Sequence, residues 1–281
     1  MASKRAFVMG HPIAHSRSPM LHGYWLKLYG IDGSYEALDI APDEIPDFFA
    51  GFREAGWAGG NVTVPHKMAV IPYLSRIDEN ARAMGAVNTI WWDGEDLVGG
   101  NADSLGFMGN LDDRAPGWDH GAKKAVVLGA GGAARAVVWG LKGRGLNVVI
   151  VNRTKSKADD LAAHFGGRVA SAEMGALGHE LAEADILVNA TSLGMVGQPH
   201  NEVDLSTLKP TATVADIVYV PLETQLLKQA AVRGHRTVDG LGMLLHQAVF
   251  GFRHWFGTTP EVTEELREMI MADIRAKTKG A

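Results

Sequence analysis

The chain has 281 residues, 46% of them hydrophobic and 21% charged, with a net charge of −5 and no cysteine. That length suffices for two domains with buried cores, while the acidic balance argues against nucleic acid or an anionic membrane as main partner. Without thiols, disulfides, thiolate nucleophiles, cysteine zinc sites and iron–sulfur clusters are excluded.

The short apolar run RAFVM at 5–9 predicts a first buried strand, stopped by Gly10 and Pro12. It is too short for a signal-peptide core, and no stretch reaches membrane-spanning length, so a cytoplasmic protein is expected. In HSRSPMLHGYWLKLYG, Ser18 is the expected N-cap and Pro19 the first helical residue; Leu21, Tyr24, Trp25 and Leu28 share one face before Gly30. Residues 34–40 alternate as a strand, 43–56 read as a helix, 58–64 as a strand and 66–84 as a helix. Residues 86–92 and 96–100 predict a β-hairpin about Asp93-Gly94. Alternating β and α predicts an α/β domain with a mostly parallel sheet.

The polar stretch GNLDDRAPGWDHGA at 109–122 reads as a linker or connection. A second α/β series follows: strand 123–129, a helix from Gly132, strand 147–152, helix 155–165, and strands 184–190 and 212–219. The last forty residues read as helical. Two domains are expected, a discontinuous one of 1–102 completed by helices 243–281, and a doubly wound one of 103–242.

Gly129-Ala130-Gly131-Gly132-Ala133-Ala134 follows an apolar strand and opens a helix, the context that gives G-x-G-x-x-A its meaning. Gly129 permits the tight turn, Gly131 lets backbone approach a pyrophosphate, and Ala134 allows close helix–strand packing. The N–H groups of the helix start, at Gly132 and Ala133, then face phosphate. The next strand ends in VNRTKSK instead of the acid that holds a ribose 2′-hydroxyl. Asn152, Arg153, Thr154 and Lys157 place two cations and a hydroxyl there, which favours the 2′-phosphate of NADP(H).

The segment GNVTVPHK at 60–67 poses a puzzle. If Pro65 opens a helix, Lys67 puts an ammonium in its first turn, where the dipole favours anions. His11 and His15 are spaced four apart, but Pro12 and Gly10 oppose a helix there, and no acidic cluster accompanies them; no metal site is expected.

Taken in order, GHPIAHSRSP, NVTVPHK, GAVNT, GGNADSLGF, GAGGAAR, NRT, NATSLGM and DGLGMLLHQ resemble the shikimate dehydrogenase family over nearly the whole chain. The resemblance implies an oxidoreductase reducing 3-dehydroshikimate to shikimate with NADPH, in chorismate and aromatic amino-acid biosynthesis. It implies a substrate domain and a Rossmann-type NADP domain meeting at a cleft, in a monomer or homodimer without nucleic-acid or membrane partners. Ser16 and Ser18, at a helix start, suit a carboxylate. Asn61, Thr63 and Asn88 lie at strand ends, where open α/β sheets bind ligands. By resemblance Tyr219 and Gln247 are further substrate ligands, Ile217 and Gly240 line the nicotinamide, and Met243 packs on its ring. The resemblance also pairs Lys67 with Asp103: the ammonium stabilises and protonates the oxygen left by hydride transfer, and the carboxylate holds it charged while accepting a substrate hydroxyl.

Where the family reads N-T-D-G, this chain has Asn101-Ala102-Asp103-Ser104, which implies altered affinity and preserved chemistry. A quinate-preferring dehydrogenase and a non-catalytic NADP(H)-sensing relative are the alternatives; loss of Lys67 or Asp103 would mark the second, and both are present.

Overall fold

In the computed structural model, which describes residues 3–279, β1 (Lys4–Gly10) is buried from Ala6 onward. A strand apolar on both faces must lie between other strands, and β1 pairs in parallel with β2 (Gly33–Asp39) on one side and β3 (Trp57–Val62) on the other. Between β1 and β2 runs α1 (Ser18–Leu28); between β2 and β3 lies the short α2 (Ile45–Ala50). Then come β4 (Arg76–Ile77), α3 (Glu79–Met84), β5 (Thr89–Asp93) and β6 (Asp96–Gly100). The sheet order is β2-β1-β3-β5-β6-β4. The β4–β6 pairing is also parallel, whereas β3–β5 and the β5–β6 hairpin are antiparallel. Gly94, at φ +61°, makes the hairpin turn.

Phe7 and Met9 point to one face, into a cluster with Phe52, Val62, Val70, Val87 and Ile90. The other face carries Tyr35, His22 of α1, and Phe252 and Trp255 of α9 (Leu241–Phe256). A side chain at Gly59 would come within 2.4 Å of Trp255 Nε1; the glycine lets that indole dock and donate to the Ile90 carbonyl at 2.8 Å. The C-terminal α10 (Glu264–Lys279) is fastened to α1: Arg17 Nε donates to Asp273 at 2.9 Å.

Residues 103–244 form a second compact unit, and 1–102 with 245–281 the first, the division falling inside α9. The second unit begins with α4 (Asp103–Arg114), β7 (Lys124–Leu128), α5 (Gly132–Gly143), β8 (Asn147–Val151) and α6 (Lys155–Phe165). It continues through β9 (Val169–Ala172), α7 (Leu177–Ala182), β10 (Ile186–Asn189), β11 (Thr213–Asp216), α8 (Gln225–Val232) and β12 (Arg236–Val238). All its strands are parallel, in the order β12-β11-β10-β7-β8-β9. Chain direction across the sheet reverses between β7 and β10, the switch point at which a Rossmann sheet opens its crevice.

Several expected elements differ. Residues 66–84 are not one helix: turns occupy 64–70, a 3-10 turn 71–73 and β4 76–77. Pro72 does not fit the interior of an α-helix, and α3 starts afresh after its N-cap Asp78, whose carboxylate accepts from the Ala81 N–H at 2.6 Å. The expected helix at 43–56 stops at Ala50, with Gly51 at its C-cap. The 109–122 stretch is helical to Arg114 before it turns. Among the described residues, no helix is long and apolar enough to cross a membrane.

Candidate active site

In the first unit the expected ligands are wired together. The Tyr35 hydroxyl donates to Asn61 Oδ1 at 2.6 Å and also bonds to the Ser18 hydroxyl. Asn61 Nδ2 donates to the Asn88 carbonyl at 3.1 Å and to Thr89 Oγ1 at 3.3 Å. Asn88 Oδ1 accepts from Thr89 Oγ1 and from the Ala102 N–H, both at 2.9 Å, while its Nδ2 reaches Gln247 Oε1 at 3.5 Å. The chain therefore joins α1, β2, β3, the start of β5 and α9, and fixes which way each amide points.

Ser18 is not the cap expected of it. It is the first helical residue, Arg17 occupies the N-cap, and the Ser18 N–H donates to Ser16 Oγ at 3.3 Å. Ser16 thus has the local duty and Ser18 turns to Tyr35. Thr63 crosses the end of β1, its N–H donating to the Met9 carbonyl at 2.9 Å.

Lys67 is half-buried on the turns of 64–70, and its carbonyl accepts from the Val87 N–H at 2.8 Å. Turns run through 64–70 and no helix begins there, so the puzzle of an ammonium at a positive helix end dissolves. Its neighbour His66 is buried, one ring nitrogen 2.7 Å from the Ile40 carbonyl, so its task is structural. Asp103 is the first residue of α4, in the second unit.

His22 is fully buried, stacked on the Tyr35 phenol at a 4.0 Å centroid distance and on Phe252 at 5.9 Å. Among the described residues neither ring nitrogen has a hydrogen bond of good geometry. Burial drives its pKa down to about 3, a shift the nearby Asn61 only partly opposes.

In the second unit the glycine loop follows β7, with Gly129 at φ +107°. A Cβ there would meet Thr191 Cγ2 at 2.9 Å and the Ala190 carbonyl at 3.0 Å, so only glycine lets the β10 loop come this close. Gly131 and Gly132 are exposed with open space beside them; α5 has no side-chain cap, which leaves the N–H groups of Gly132 and Ala133 available to an anion. Ala130 lies half-buried before them, and Ala134 is fully buried against the sheet.

The Gly129 N–H donates to the Val151 carbonyl at 2.9 Å, which sets this loop beside the end of β8. There Asn152 Nδ2 donates to the Thr154 carbonyl at 2.8 Å, and Thr154 is the N-cap residue of α6. Arg153 and Lys157 are exposed and pair with no carboxylate among the described residues. Lys155, by contrast, is held by Asp159.

At the ends of β11 and β12, the Gly240 N–H donates to the Val218 carbonyl at 3.2 Å, and a side chain at Gly240 would come within 2.1 Å of the Ile217 carbonyl. Ile217 and Tyr219 are half-buried on that loop, and Met243 lies in the first turn of α9.

Residues 8–90 match the model of the shikimate dehydrogenase substrate binding domain, 114–222 that of shikimate/quinate 5-dehydrogenase, and 240–265 that of the shikimate 5′-dehydrogenase C-terminal domain. The NADP(+) shikimate dehydrogenase of Azorhizobium caulinodans is 55% identical over 98% of both chains. The chain belongs to the shikimate dehydrogenase family. A Thermus thermophilus shikimate 5-dehydrogenase solved with NADP(H) and shikimate superposes with a TM-score of 0.80, at 34% identity over 96% of this chain and 99% of that one. A quinate dehydrogenase of Corynebacterium glutamicum solved with NAD gives 0.84, at 30% identity over 96% and 99%.

Two groups in the family fold escaped sequence reasoning. Tyr35, hub of the first unit's polar chain, gave no signal beyond one phenol in an alternating strand. The NATSLGM segment stood out as a motif, yet its partner was invisible: Asn189 Nδ2 donates to Asp216 Oδ1 at 2.9 Å, across two strands. Asp216 is buried, and desolvation raises its pKa to about 6 against the pull of hydrogen bonds from Val218, Thr224 and Asn189. The departures at 102 and 104 also find their place. Ala102 contributes its backbone N–H to Asn88, which a threonine would do equally, and Ser104 is buried beside Gly140 of α5, whose missing side chain leaves it room.

Proposed function

We propose that this chain is an NADP-dependent shikimate dehydrogenase, carrying out the reversible reduction of 3-dehydroshikimate to shikimate with NADPH as hydride donor. The observation that carries the substrate reading is the polar chain through Ser18, Tyr35, Asn61, Asn88 and Gln247. A small ring bearing a carboxylate and several hydroxyls needs oriented donors and acceptors, and this chain holds them in set directions. Ser16 and Ser18 take the carboxylate; Asn61, Thr63, Asn88, Tyr219 and Gln247 take hydroxyls.

Hydride transfer to the ring carbonyl leaves an oxyanion. Lys67, as ammonium, stabilises that charge and supplies the proton, and Asp103 accepts a ring hydroxyl and favours the charged amine. The cofactor lies over the glycine loop, with pyrophosphate on Gly129 to Ala133, the 2′-phosphate on Arg153, Thr154 and Lys157 beside Asn152, and nicotinamide near Ile217, Gly240 and Met243. Arg153 and Lys157, which pair with no carboxylate among the described residues, favour NADP over NAD, because a dianionic phosphate supplies the opposite charge. Retention of Lys67 and Asp103 speaks against a non-catalytic NADP(H) sensor. Substrate and cofactor are small molecules; the protein works in the cytoplasm as a monomer or homodimer.

The test is NADPH formation, followed by absorbance, with shikimate and quinate each supplied with NADP or NAD. Shikimate with NADP should give the highest kcat/KM; a quinate preference, or no turnover of either, would overturn the reading.

A further inference from the structure

The carboxyl ends of β10 and β11 are tied by one buried acid. Asp216 Oδ1 accepts from Asn189 Nδ2 at 2.9 Å and from the Val218 N–H at 3.0 Å, and its Oδ2 accepts from Thr224 Oγ1 at 2.7 Å. Asn189 passes the tie onward: its Oδ1 accepts from the Thr191 N–H and hydroxyl at 3.1 and 2.7 Å, and its Nδ2 also donates to the Leu193 carbonyl at 3.1 Å. Thr191 Oγ1 in turn accepts from the Leu193 N–H at 3.1 Å. Thr224 caps α8, accepting from the Leu227 N–H at 3.3 Å.

Asp216, Asn189 and Thr224 are each at most 2% exposed, and among the described residues no cation faces the carboxylate. A buried acid without a cation is a poor stabiliser; an apolar side chain would fill the space without the desolvation cost. What an apolar side chain could not do is accept three donors from three segments. The segments so joined are the loop after β10, which presses on Gly129, and the loop after β11, which carries Ile217 and is stitched to Gly240.

A Rossmann sheet binds a dinucleotide across its switch point, one half on each side. The glycine loop and Arg153 take the adenosine side on β7 and β8, so the loops after β10 and β11 face the nicotinamide half. We infer that Asp216 is a positioning residue for the nicotinamide half of the dinucleotide, acting through Asn189, Thr191 and Thr224 on the loops that shape its pocket. The inference rests on the NADP reading above.

Two ligands separate the possibilities, titrated directly against the intact protein: NADPH, and adenosine 2′,5′-bisphosphate, which carries the 2′-phosphate half and no nicotinamide. In Asp216→Asn and Thr224→Val, the dissociation constant for NADPH should rise about 10-fold, as expected for losing a hydrogen bond to a charged group. The bisphosphate should bind within about 2-fold of wild type, Thr224→Ser should restore NADPH binding, and KM should rise for NADPH and not for shikimate. Unchanged NADPH affinity in both variants, or equal loss of both ligands, would overturn the inference. Should Asp216→Asn fail to fold, the Thr224 pair decides alone. Wild-type protein that binds neither ligand would instead overturn the cofactor reading, and the inference with it, before any variant is made.

Discussion

Asn61 and Asn88 in the first unit, and Arg153 and Lys157 in the second, follow opposite plans. The two amides spend their hydrogen bonds on Tyr35, Thr89, Ala102 and Gln247, and are held in one orientation. The two cations are exposed and without a carboxylate partner among the described residues. The ligands proposed for them would explain the contrast. A neutral hydroxyl is recognised by direction, and a donor or acceptor pays the orienting entropy in advance when neighbours hold it. A phosphate dianion is recognised by charge, which tolerates a mobile side chain, and a pre-paired arginine would have to break one ion pair to form another.

The sharpest break of this contrast is Lys67→Ala, which removes the ammonium proposed as proton donor. Its kcat should fall by about 10²–10⁴, the usual reach of general acid catalysis, with shikimate affinity nearly kept. Wild-type turnover would remove Lys67 from the mechanism. Next comes Arg153→Ala, expected to raise KM for NADPH about 10–100-fold while leaving KM for NADH alone. Equal changes for both cofactors would show that Arg153 does not read the 2′-phosphate. Tyr35→Phe should be milder: Asn61 Oδ1 loses its donor, and kcat/KM for shikimate should fall about 10-fold with KM for NADPH unmoved. A variant indistinguishable from wild type would mean that Asn61 needs no fixing.

The smallest effect is one of pH. His22 titrates near 3 in the fold against 6.5 outside it, so below 6.5 the unfolded chain takes up a proton the folded one refuses. Stability therefore falls with acidification from 6.5 towards 3, by up to about 1.4 kcal/mol per pH unit. Asp216 has the opposite sign, since its folded pKa of about 6 exceeds 3.8 and the folded state holds the proton between them. From about pH 6 to 4 the two offset one another. His22→Phe should leave Asp216 unopposed, so its Tm should decline less than wild type between those values. Parallel Tm curves for variant and wild type would show that His22 is protonated in the fold.

Local chemistry made much of this protein legible. The glycine loop and its flanking strands, the Asp93-Gly94 hairpin, helix α6 and the cations after β8 all follow from patterns within a dozen residues. Glycine conformation, side-chain period and charge act at that range. The same reading ran a helix through Pro72, and it cast Ser18 as a cap and Lys67 in a helix field, because it weighed short windows without knowing what each would meet. Tyr35 and Asn61 are 26 residues apart, and Asn189 and Asp216 are 27 apart. Strand order makes them neighbours, and strand order is a property of the packed sheet. A buried hydrogen bond leaves no periodic trace along the chain, because it joins two single residues from separate strands. Only the tertiary structure decided which polar groups bind one another and which stay free for a ligand.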